Sequence, residues 1–563
     1  MRSPAGADLP DDFIAAGPEF WPNVHDAPER PSHAIHGMSP AGQGARAASR
    51  FSNPSLLPLA ALLLAVFMLN RLPFFWYYPS VQVAQDTQWY LDVVNEMKAG
   101  HWPHFVYRTP GYPLLFWFVT LFTGRWIALV CVQNILSFAS ALFLVYSVRR
   151  FRASLALPAA LAMCGFLGSS QVVLYDVALL SDSLYSNCLI ATVAILLLAF
   201  REFNPAPLAF ASAAMAACIL VRPSGEFFIV IYAVVLAYLA WQRRPIRSVV
   251  AFLVPFPALV LGLCAYNYAT ISLFGVSSLG EANLAGATAL FWEPDPRLPD
   301  SVNVALKDLP ASYARQDITA GDLETIRMSW DVEKLNLVYQ KAFNRMIFSE
   351  GWGWGRLAGG DYFQSRAIMR KVSLIAIRRH PVLYAKFVWV GLVEYFGGVG
   401  YSFDIESSIA YRKQGNRLDG VKGYHPDETA ARIASVSRGA ASDASLRGQE
   451  AAPGEERLVK GLQHLWQRLH AALFQQVAWS YAYFAVLILS AVRWARSRGR
   501  DTSAFLLFVL ALIPLGASLN VSLVVITADR YSYPTQFLYY LCVALIPLLL
   551  SGNAAVSEGD PHA

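Results

Sequence analysis

The sequence predicts an all-α polytopic membrane protein with about 10–12 transmembrane helices, interfacial helices and an outward-facing soluble segment. Two observations predict this class. The chain of 563 residues is 55% hydrophobic and only 15% charged, which is too apolar for an ordinary soluble domain. Apolar runs of about 20 residues, the length that crosses a hydrocarbon core, recur roughly ten times along it.

The apolar runs form two groups that are separated by a long, more polar stretch. The first group lies near 55–70, 126–148, 154–172, 183–200, 206–221, 224–241 and 247–268. The second lies near 471–491, 503–526 and 534–551. Two further apolar stretches, 112–124 and 382–399, are short or interrupted, so we interpret both as interfacial or re-entrant.

The formal net charge of +6 does not indicate a nucleic-acid partner, because the basic residues cluster in short loops beside the apolar runs. That pattern marks cytoplasmic loops. The clusters are Arg46 and Arg50; Arg149, Arg150 and Arg152; Arg243, Arg244 and Arg247; and Arg493, Arg496, Arg498 and Arg500. Crossing one span at a time then places Asp86, Asp176, Arg222 and the pair Asp529–Arg530 on the opposite, outward side.

These patterns predict six regions. Residues 1–50 are a disordered cytoplasmic N-terminus, rich in Pro, Gly and Ala, and 51–268 form an N-terminal transmembrane catalytic module. Residues 269–380, here called the central segment, face outward. Residues 381–470 hold the interfacial or re-entrant helix and a flexible loop, 471–551 the C-terminal transmembrane helices, and 552–563 a cytoplasmic tail. All six cysteines lie inside predicted spans, so no disulfide framework is implied.

The first candidate catalytic acid is Asp86, which follows the first apolar run. Trp89, Tyr90, Val93 and Met97 recur after it at helical spacing, which predicts an amphipathic helix over 86–98 on the membrane surface. Asp86 would then lie at the headgroup plane, and partial burial beside the aromatic rings would favour its protonation. The alternative role is a helix N-cap.

A second acid is expected from Asp176 or Asp182, and the sequence leaves the choice open. Asp182 opens a span near 183, where Ser181 and Asp182 could instead cap the helix. Asp176 lies six residues earlier, in a predicted loop.

The candidate phosphate-binding residues are Arg108, Arg222 and Arg530, because each lies beside a span on the outward side and guanidinium matches phosphate oxygens. The alternative is an arginine that extends to lipid headgroups. Four tyrosines could line a sugar or acceptor pocket or belong to the interfacial aromatic belt. They are Tyr90, Tyr112, Tyr531 and Tyr533.

Several short motifs follow one another in a fixed order: D-T-x-x-Y with Asp86 and Tyr90, RTPGYP at 108–113, LLSDSLY with Asp182, VRP at 221–223, FGVSSLGEANL at 274–284, RRHP at 378–381 and DRYSYP at 529–534. In this order the motifs resemble the polyprenyl-phosphate-sugar-dependent glycosyltransferases of the GT-C fold. That group includes the protein O-mannosyltransferases of glycosyltransferase family 39 and the aminoarabinose transferases of lipid A. The resemblance covers most of residues 55–550.

The resemblance implies an enzyme that moves one sugar from a polyprenyl-phosphate carrier to a lipid, glycan or protein acceptor, usually with inversion. It implies a bacterial inner membrane protein whose site faces the periplasm, with membrane lipids as further partners. Asp86 would be the general base, and Arg108, Arg222 and Arg530 would bind the departing phosphate.

No cofactor is required by these motifs, but a divalent metal ion is possible, since some members of this superfamily use one. His101, His104 and Glu96 lie near Asp86, yet their spacing matches no strong ligand motif. Two other functions remain open: a flippase or transporter of a lipid-linked glycan, and an O-antigen polymerase or ligase. A transporter is expected to carry charges near the bilayer midplane and related halves, and the sequence shows no internal repeat.

Overall fold

The computed structural model describes residues 55–77, 86–101, 103, 105, 108–123, 126–315, 317–343, 362–397, 465–466, 468–470, 472–474, 476–525 and 529–550. All of these belong to one compact unit, Asn53–Ala563. The predicted N-terminus 1–50, most of the flexible loop and the tail 552–563 lie outside the described residues.

The N-terminal region consists of eleven described helices, which account for every apolar run predicted there. They are α1 (Leu56–Tyr77), α2 (Thr87–Lys98), α3 (Gly111–Phe122), α4 (Trp126–Phe151), α5 (Ala156–Leu167), α6 (Ser170–Val177), α7 (Ser181–Glu202), α8 (Pro205–Val221), α9 (Phe228–Trp241), α10 (Ile246–Leu253) and α11 (Pro255–Ile271). A 3-10 turn, Pro223–Phe227, precedes α9.

The remaining helices complete a chain whose described part contains helices, turns and loops but no β-sheet. The central segment contains α12 (Leu279–Thr288), α13 (Asp300–Lys307), α14 (Leu309–Arg315), α15 (Ala320–Met328), α16 (Val332–Ala342) and α17 (Tyr362–Arg379). After it come α18 (Pro381–Gly397), α19 (Gln476–Arg496), α20 (Thr502–Ser522), α21 (Asp529–Ser532), α22 (Gln536–Ala544) and α23 (Pro547–Leu550).

The protein is an all-α polytopic membrane protein, as predicted. Seven described segments are long and apolar enough to span a bilayer: Ile127–Phe151, Ser181–Glu202, Pro223–Trp241, Ile246–Ile271, Gln476–Arg496, Thr502–Ser522 and Tyr533–Leu550. Three other apolar helices are shorter: Leu56–Leu72, Gly111–Phe122 and Pro205–Val221.

The run predicted near 154–172 is not one straight helix. It is broken into Ala153–Leu167 and Gln171–Val177, which meet at an angle of 66°. After the break, α6 begins at Ser170. The Ser169 hydroxyl accepts a hydrogen bond from the Gln171 amide and so caps the N-terminus of α6. The bend gives α6 a different direction from α5, and Asp176 in α6 is buried inside the protein.

The central segment folds around a hydrophobic core of its own. Side chains from α12 to α18 form this second core, including Val302, Leu335, Met369 and Phe387. Its helices begin with local signals: Thr319 and Asp322 form a reciprocal capping box at α15, and Asp331 caps α16.

The helix α18 ties the central segment to the C-terminal spans. The Tyr384 hydroxyl donates to the Leu523 carbonyl oxygen at the end of α20, at 2.7 Å. At the other end of α18, the Tyr395 hydroxyl lies 2.8 Å from the Thr535 hydroxyl. The stretch predicted to be interfacial or re-entrant therefore packs across the ends of these spans.

The Asp295 carboxylate links the loop after α12 to the end of α17. It accepts from the Arg297 backbone amide and guanidinium at 2.8 Å, and Arg379 lies 2.5 Å away. The Arg297 hydrogen bonds, with the charge of Arg379, hold the pKa of Asp295 well below its usual range.

We expect this carboxylate to stabilise the central segment at neutral pH and to lose that effect in acid. Because the pKa is lowered on folding, the contribution is present above the unfolded value of about 4 and is lost as pH falls towards the folded value. The protection factors of the amide hydrogens in residues 293–307, measured by hydrogen exchange, should therefore fall below about pH 4 in the wild type. Asp295→Asn should show low protection factors at all pH values; an identical pH dependence of protection in both proteins would contradict this role.

Candidate functional site

The helix α2 places Asp86 at its first turn, with the residue at the N-cap position. Its inner face is buried through Tyr90, Leu91, Val94 and Met97, so the amphipathic pattern of the sequence forms a helix here. The Asp86 side chain makes no capping hydrogen bond. Its carboxylate is therefore available for other contacts.

Asp86 instead forms an ion pair with Arg108, whose Nη2 lies 2.6 Å from the Asp86 Oδ1. The Arg108 guanidinium also lies 5.1 Å from the Trp89 ring and 5.5 Å from the Tyr90 ring. These cation–π contacts hold the cation on the helix that carries the acid. The acid and its cation are thus in direct contact.

A short turn between α6 and α7 connects the first acid to the second. The Thr87 hydroxyl donates to the Leu179 carbonyl oxygen at 3.0 Å. The Tyr90 hydroxyl lies 2.8 Å from the Ser181 hydroxyl, next to Asp182. The helix that carries Asp86 and the turn before Asp182 are thus in direct contact.

Asp182 forms a second ion pair, with Arg222. Asp182 lies in the first turn of α7, and Arg222 lies directly after α8, where the chain is extended. The Arg222 guanidinium also lies 5.0 Å from the Tyr531 ring. Ser181 does not cap α7, since Leu180 holds that position, so the expected Ser181 cap was wrong; Asp182 does lie in the first turn, as that alternative expected.

Asp176 lies in α6, not in the predicted loop, and is completely buried. Its carboxylate accepts from Arg71 at 2.5 Å, from the Ser137 hydroxyl at 2.7 Å and from the Ser183 hydroxyl at 2.6 Å. Arg71 also donates to Asn134 Oδ1 at 2.8 Å. Such full satisfaction is what a buried ion pair needs to persist.

Arg71 is the residue that the sequence argument missed. A signal existed, because Arg71 follows an apolar run without a basic neighbour, and an intramembrane charge is expected to have a partner. The partner could not be identified, since Asp176 was predicted to lie in a loop.

The four candidate tyrosines differ in their contacts and in how far they are buried. The Tyr112 hydroxyl donates to Gln133 Oε1 at 3.0 Å, and the Tyr112 ring lies edge-on to Tyr90 at 4.8 Å. Tyr533 is buried and stacks on Tyr175 at 4.5 Å, so it supports α6. Only Tyr531, beside Arg222, is partly exposed among the four.

The side chains of the three acids differ in their exposure to solvent. The Asp86 side chain is 23% exposed and that of Arg108 18%, whereas Asp176 and Asp182 are both at 0%. A group that exchanges a proton with a substrate must be reachable, so Asp86 is the acid that fits this task. The other two acids are placed to hold arginines and the connecting turn.

Two polar atoms beside the accessible pair lack partners. Arg108 Nε and Thr109 Oγ1 are buried and form no hydrogen bond with any residue that the structure describes. Buried donors are rarely left unpaired in proteins. Both atoms lie next to the partly exposed ion pair.

Two elements of the prediction rest on residues outside the described set. The backbone of Arg530 belongs to α21, but its side chain is not described. His104 is likewise outside it. Within the described residues, no group of three or more His, Cys, Asp or Glu side chains is arranged to hold a metal ion.

Comparison with known proteins gives little beyond this geometry. No protein-family model matches the chain, and no curated protein does. Three solved structures are similar, all of the oligosaccharyltransferase from Archaeoglobus fulgidus. The apo form has a TM-score of 0.34 and 13% identity, covering 87% of this chain and 49% of that one. The complex with an inhibitory peptide and a dolichol-phosphate has a TM-score of 0.35 and 13% identity over the same shares.

The third structure, a complex with Zn and sulfate, has a TM-score of 0.34 and 12% identity, and the match covers 87% of this chain and 48% of that one. The chain thus spans about half the length of these proteins. At such TM-scores the likeness carries no functional argument, so function has to be argued from the residues.

The buried pair gives a stability prediction. Arg71→Met should destabilise the protein by roughly 3–5 kcal/mol, because it leaves the Asp176 carboxylate buried without its cation. Arg71→Met/Asp176→Asn should recover most of that loss, since the uncompensated charge is gone. Thermal unfolding in detergent measures both, and an Arg71→Met protein as stable as the wild type would contradict the pairing.

Proposed function

We propose that the protein is an integral-membrane glycosyltransferase that moves a single sugar from a polyprenyl phosphate to an acceptor on the outer face of the membrane, with inversion. One observation carries the proposal. Two Asp–Arg ion pairs, Asp86–Arg108 and Asp182–Arg222, are connected through the turn between α6 and α7. The outer face is inferred from the basic loops at the other ends of the spans.

In this proposal Asp86 is the general base. It is the accessible acid, and it lies at the start of α2, whose other face carries the exposed Asp92 and Glu96. An acceptor hydroxyl approaching Asp86 would transfer its proton to the carboxylate as its oxygen attacks the anomeric carbon. Attack from the side opposite to the phosphate accounts for inversion.

The departing phosphate takes the electron pair of the broken C–O bond and becomes more negative, so it needs cations. Arg108 and Arg222 are described cations that the fold brings next to the connecting turn and that are not used to hold Asp176. Arg222 is held by Asp182 and by the Tyr531 ring, and Arg108 by its aromatic neighbours. We include Arg530 because it adjoins Tyr531 in the sequence.

Donor binding and base activation would be coupled. In the free protein Arg108 is engaged by Asp86, and its Nε has no described partner. A phosphate oxygen that takes up this arginine competes with the carboxylate, because both bind guanidinium by charge-assisted hydrogen bonds. The released carboxylate then becomes a better proton acceptor for the hydroxyl.

The proposed role of the buried acid Asp176 is to hold the connecting turn in place. It bonds Ser183 at the start of α7, while Gln133 donates to the carbonyl oxygens of Asp176 and Ala178 at 2.9 and 3.0 Å. Tyr112 in turn donates to Gln133. Tyr90, Tyr112 and Tyr531 would then lie along the pocket, with Tyr533 behind it.

The direct experiment incubates purified protein with a polyprenyl monophosphate sugar, with and without chelator, and measures release of the sugar. Transfer, or slow hydrolysis when no acceptor is added, is expected. A flippase would move the lipid without breaking the bond, and a polymerase or ligase would need a pyrophosphate-linked glycan. The absence of cleavage under all conditions would contradict the proposed activity.

Replacing the base should stop turnover. Asp86→Asn is expected to lower kcat by at least about 10²-fold, the usual contribution of a general base, at unchanged expression. Asp92→Asn on the exposed face of the same helix is the matched control and should keep wild-type kcat. Near-wild-type kcat in Asp86→Asn would reject the assignment.

Replacing a phosphate ligand should act on donor binding. Arg530→Ala is expected to raise the donor Kd about tenfold or more, because a hydrogen bond to a charged group contributes roughly 1.5–3 kcal/mol. Arg496→Ala, at the other end of the C-terminal spans, serves as control. Equal donor Kd values for all three proteins would remove Arg530 from the site.

A further inference from the structure

The helix α17 has a one-signed charge pattern that the proposed reaction does not use. It contains five basic residues and no acidic one. Two of the five are used inside the fold: Arg366 pairs with Glu281 at 3.0 Å, and Arg379 with Asp295. The other three, Arg370, Lys371 and Arg378, are exposed.

These three residues share one face of the helix. Positions 370, 371, 374 and 378 follow the three- and four-residue spacing of a helical stripe. The opposite face, with Met369, Val372 and Ala376, is buried in the second hydrophobic core. We call Arg370, Lys371 and Arg378 the basic stripe.

The part of the chain that the structure describes supplies little counter-charge to the basic stripe. Arg370 and Arg378 form no ion pair with a carboxylate among the described residues. Lys371 donates to the Arg297 carbonyl oxygen at 2.5 Å, which brings Lys371 next to a further basic residue. Glu293 and Asp295, at the end of α17, are paired with Arg379.

The surface that continues from the stripe is apolar. Leu374, between Arg370 and Arg378, is 40% exposed. Directly after α17, the exposed face of α18 consists of Val382, Ala385 and Trp389, with Val382 at 58% and Trp389 at 48%. Because α18 contacts the ends of α20 and α22, this apolar face lies beside the spans and fits lipid.

We propose that the basic stripe binds the phosphates of anionic lipid headgroups and so holds the central segment against the membrane surface. A basic face flanked by exposed Leu, Val and Trp is the pattern of a helix at the lipid interface. The apolar continuity with α18 favours a lipid surface over a soluble anionic glycan, which would not need exposed hydrophobic side chains. The inference does not depend on the proposed reaction.

Native mass spectrometry of the full chain tests this binding. Protein extracted from mixed bilayers of phosphatidylglycerol and phosphatidylcholine should retain the anionic lipid preferentially. The variant Arg370→Gln/Lys371→Gln/Arg378→Gln should lose this preference by roughly tenfold or more, because each Lys or Arg near an anionic surface contributes several-fold to binding. The matched control is Lys307→Gln/Arg327→Gln/Lys334→Gln, which removes three exposed charges from α13, α15 and α16.

The control variant should retain the wild-type preference, and all three proteins should share one melting temperature, since the substituted side chains are exposed. Equal retention of phosphatidylglycerol by the wild type and the stripe variant would overturn the proposal. So would retention of inorganic phosphate or a soluble anionic glycan by the stripe without preference for phosphatidylglycerol, since the occupant would then be a soluble anion.

Discussion

The buried carboxylate of Asp176 is the interaction on which the rest of the site depends. Arg71 from α1, Ser137 from α4 and Ser183 from α7 all bond to it, so three helices are fixed around one charge. In a low-dielectric interior an unpaired carboxylate is costly, so the arrangement that satisfies it is strongly favoured. The turn between α6 and α7 is thereby held in one place, and α2 docks on it through Thr87 and Tyr90.

The fixed turn places two ion pairs with different properties close together. Asp182 and Arg222 are almost fully buried, whereas Asp86 and Arg108 remain partly exposed. Burial makes the first pair a rigid support, because separating it would leave charges without solvent. In the proposed reaction, the partial exposure of the second pair lets a donor phosphate replace the carboxylate at the arginine. This difference is the basis for assigning proton transfer to Asp86.

Much of the fold could be predicted from the sequence, because apolar length and amphipathic spacing are local signals. The helix after Asp86 and the start of α7 near Asp182 follow from them. The bend between α5 and α6 did not, since the apolar run continues through it and only the N-cap at Ser169 marks the start of a new helix. The pairing of Arg71 with Asp176 was also missed, because a contact across the bundle leaves no periodic pattern in the sequence. Accessibility, which separates Asp86 from the other acids, is likewise a property of packing.

In the proposed mechanism the donor phosphate and the Asp86 carboxylate compete for Arg108. This competition is tested by the equilibrium Kd of a polyprenyl monophosphate sugar for the wild type and for Asp86→Asn. The variant should bind the donor more tightly although it cannot turn it over, because the arginine is no longer engaged by a charged partner. Weaker or equal binding by Asp86→Asn would rule out the competition.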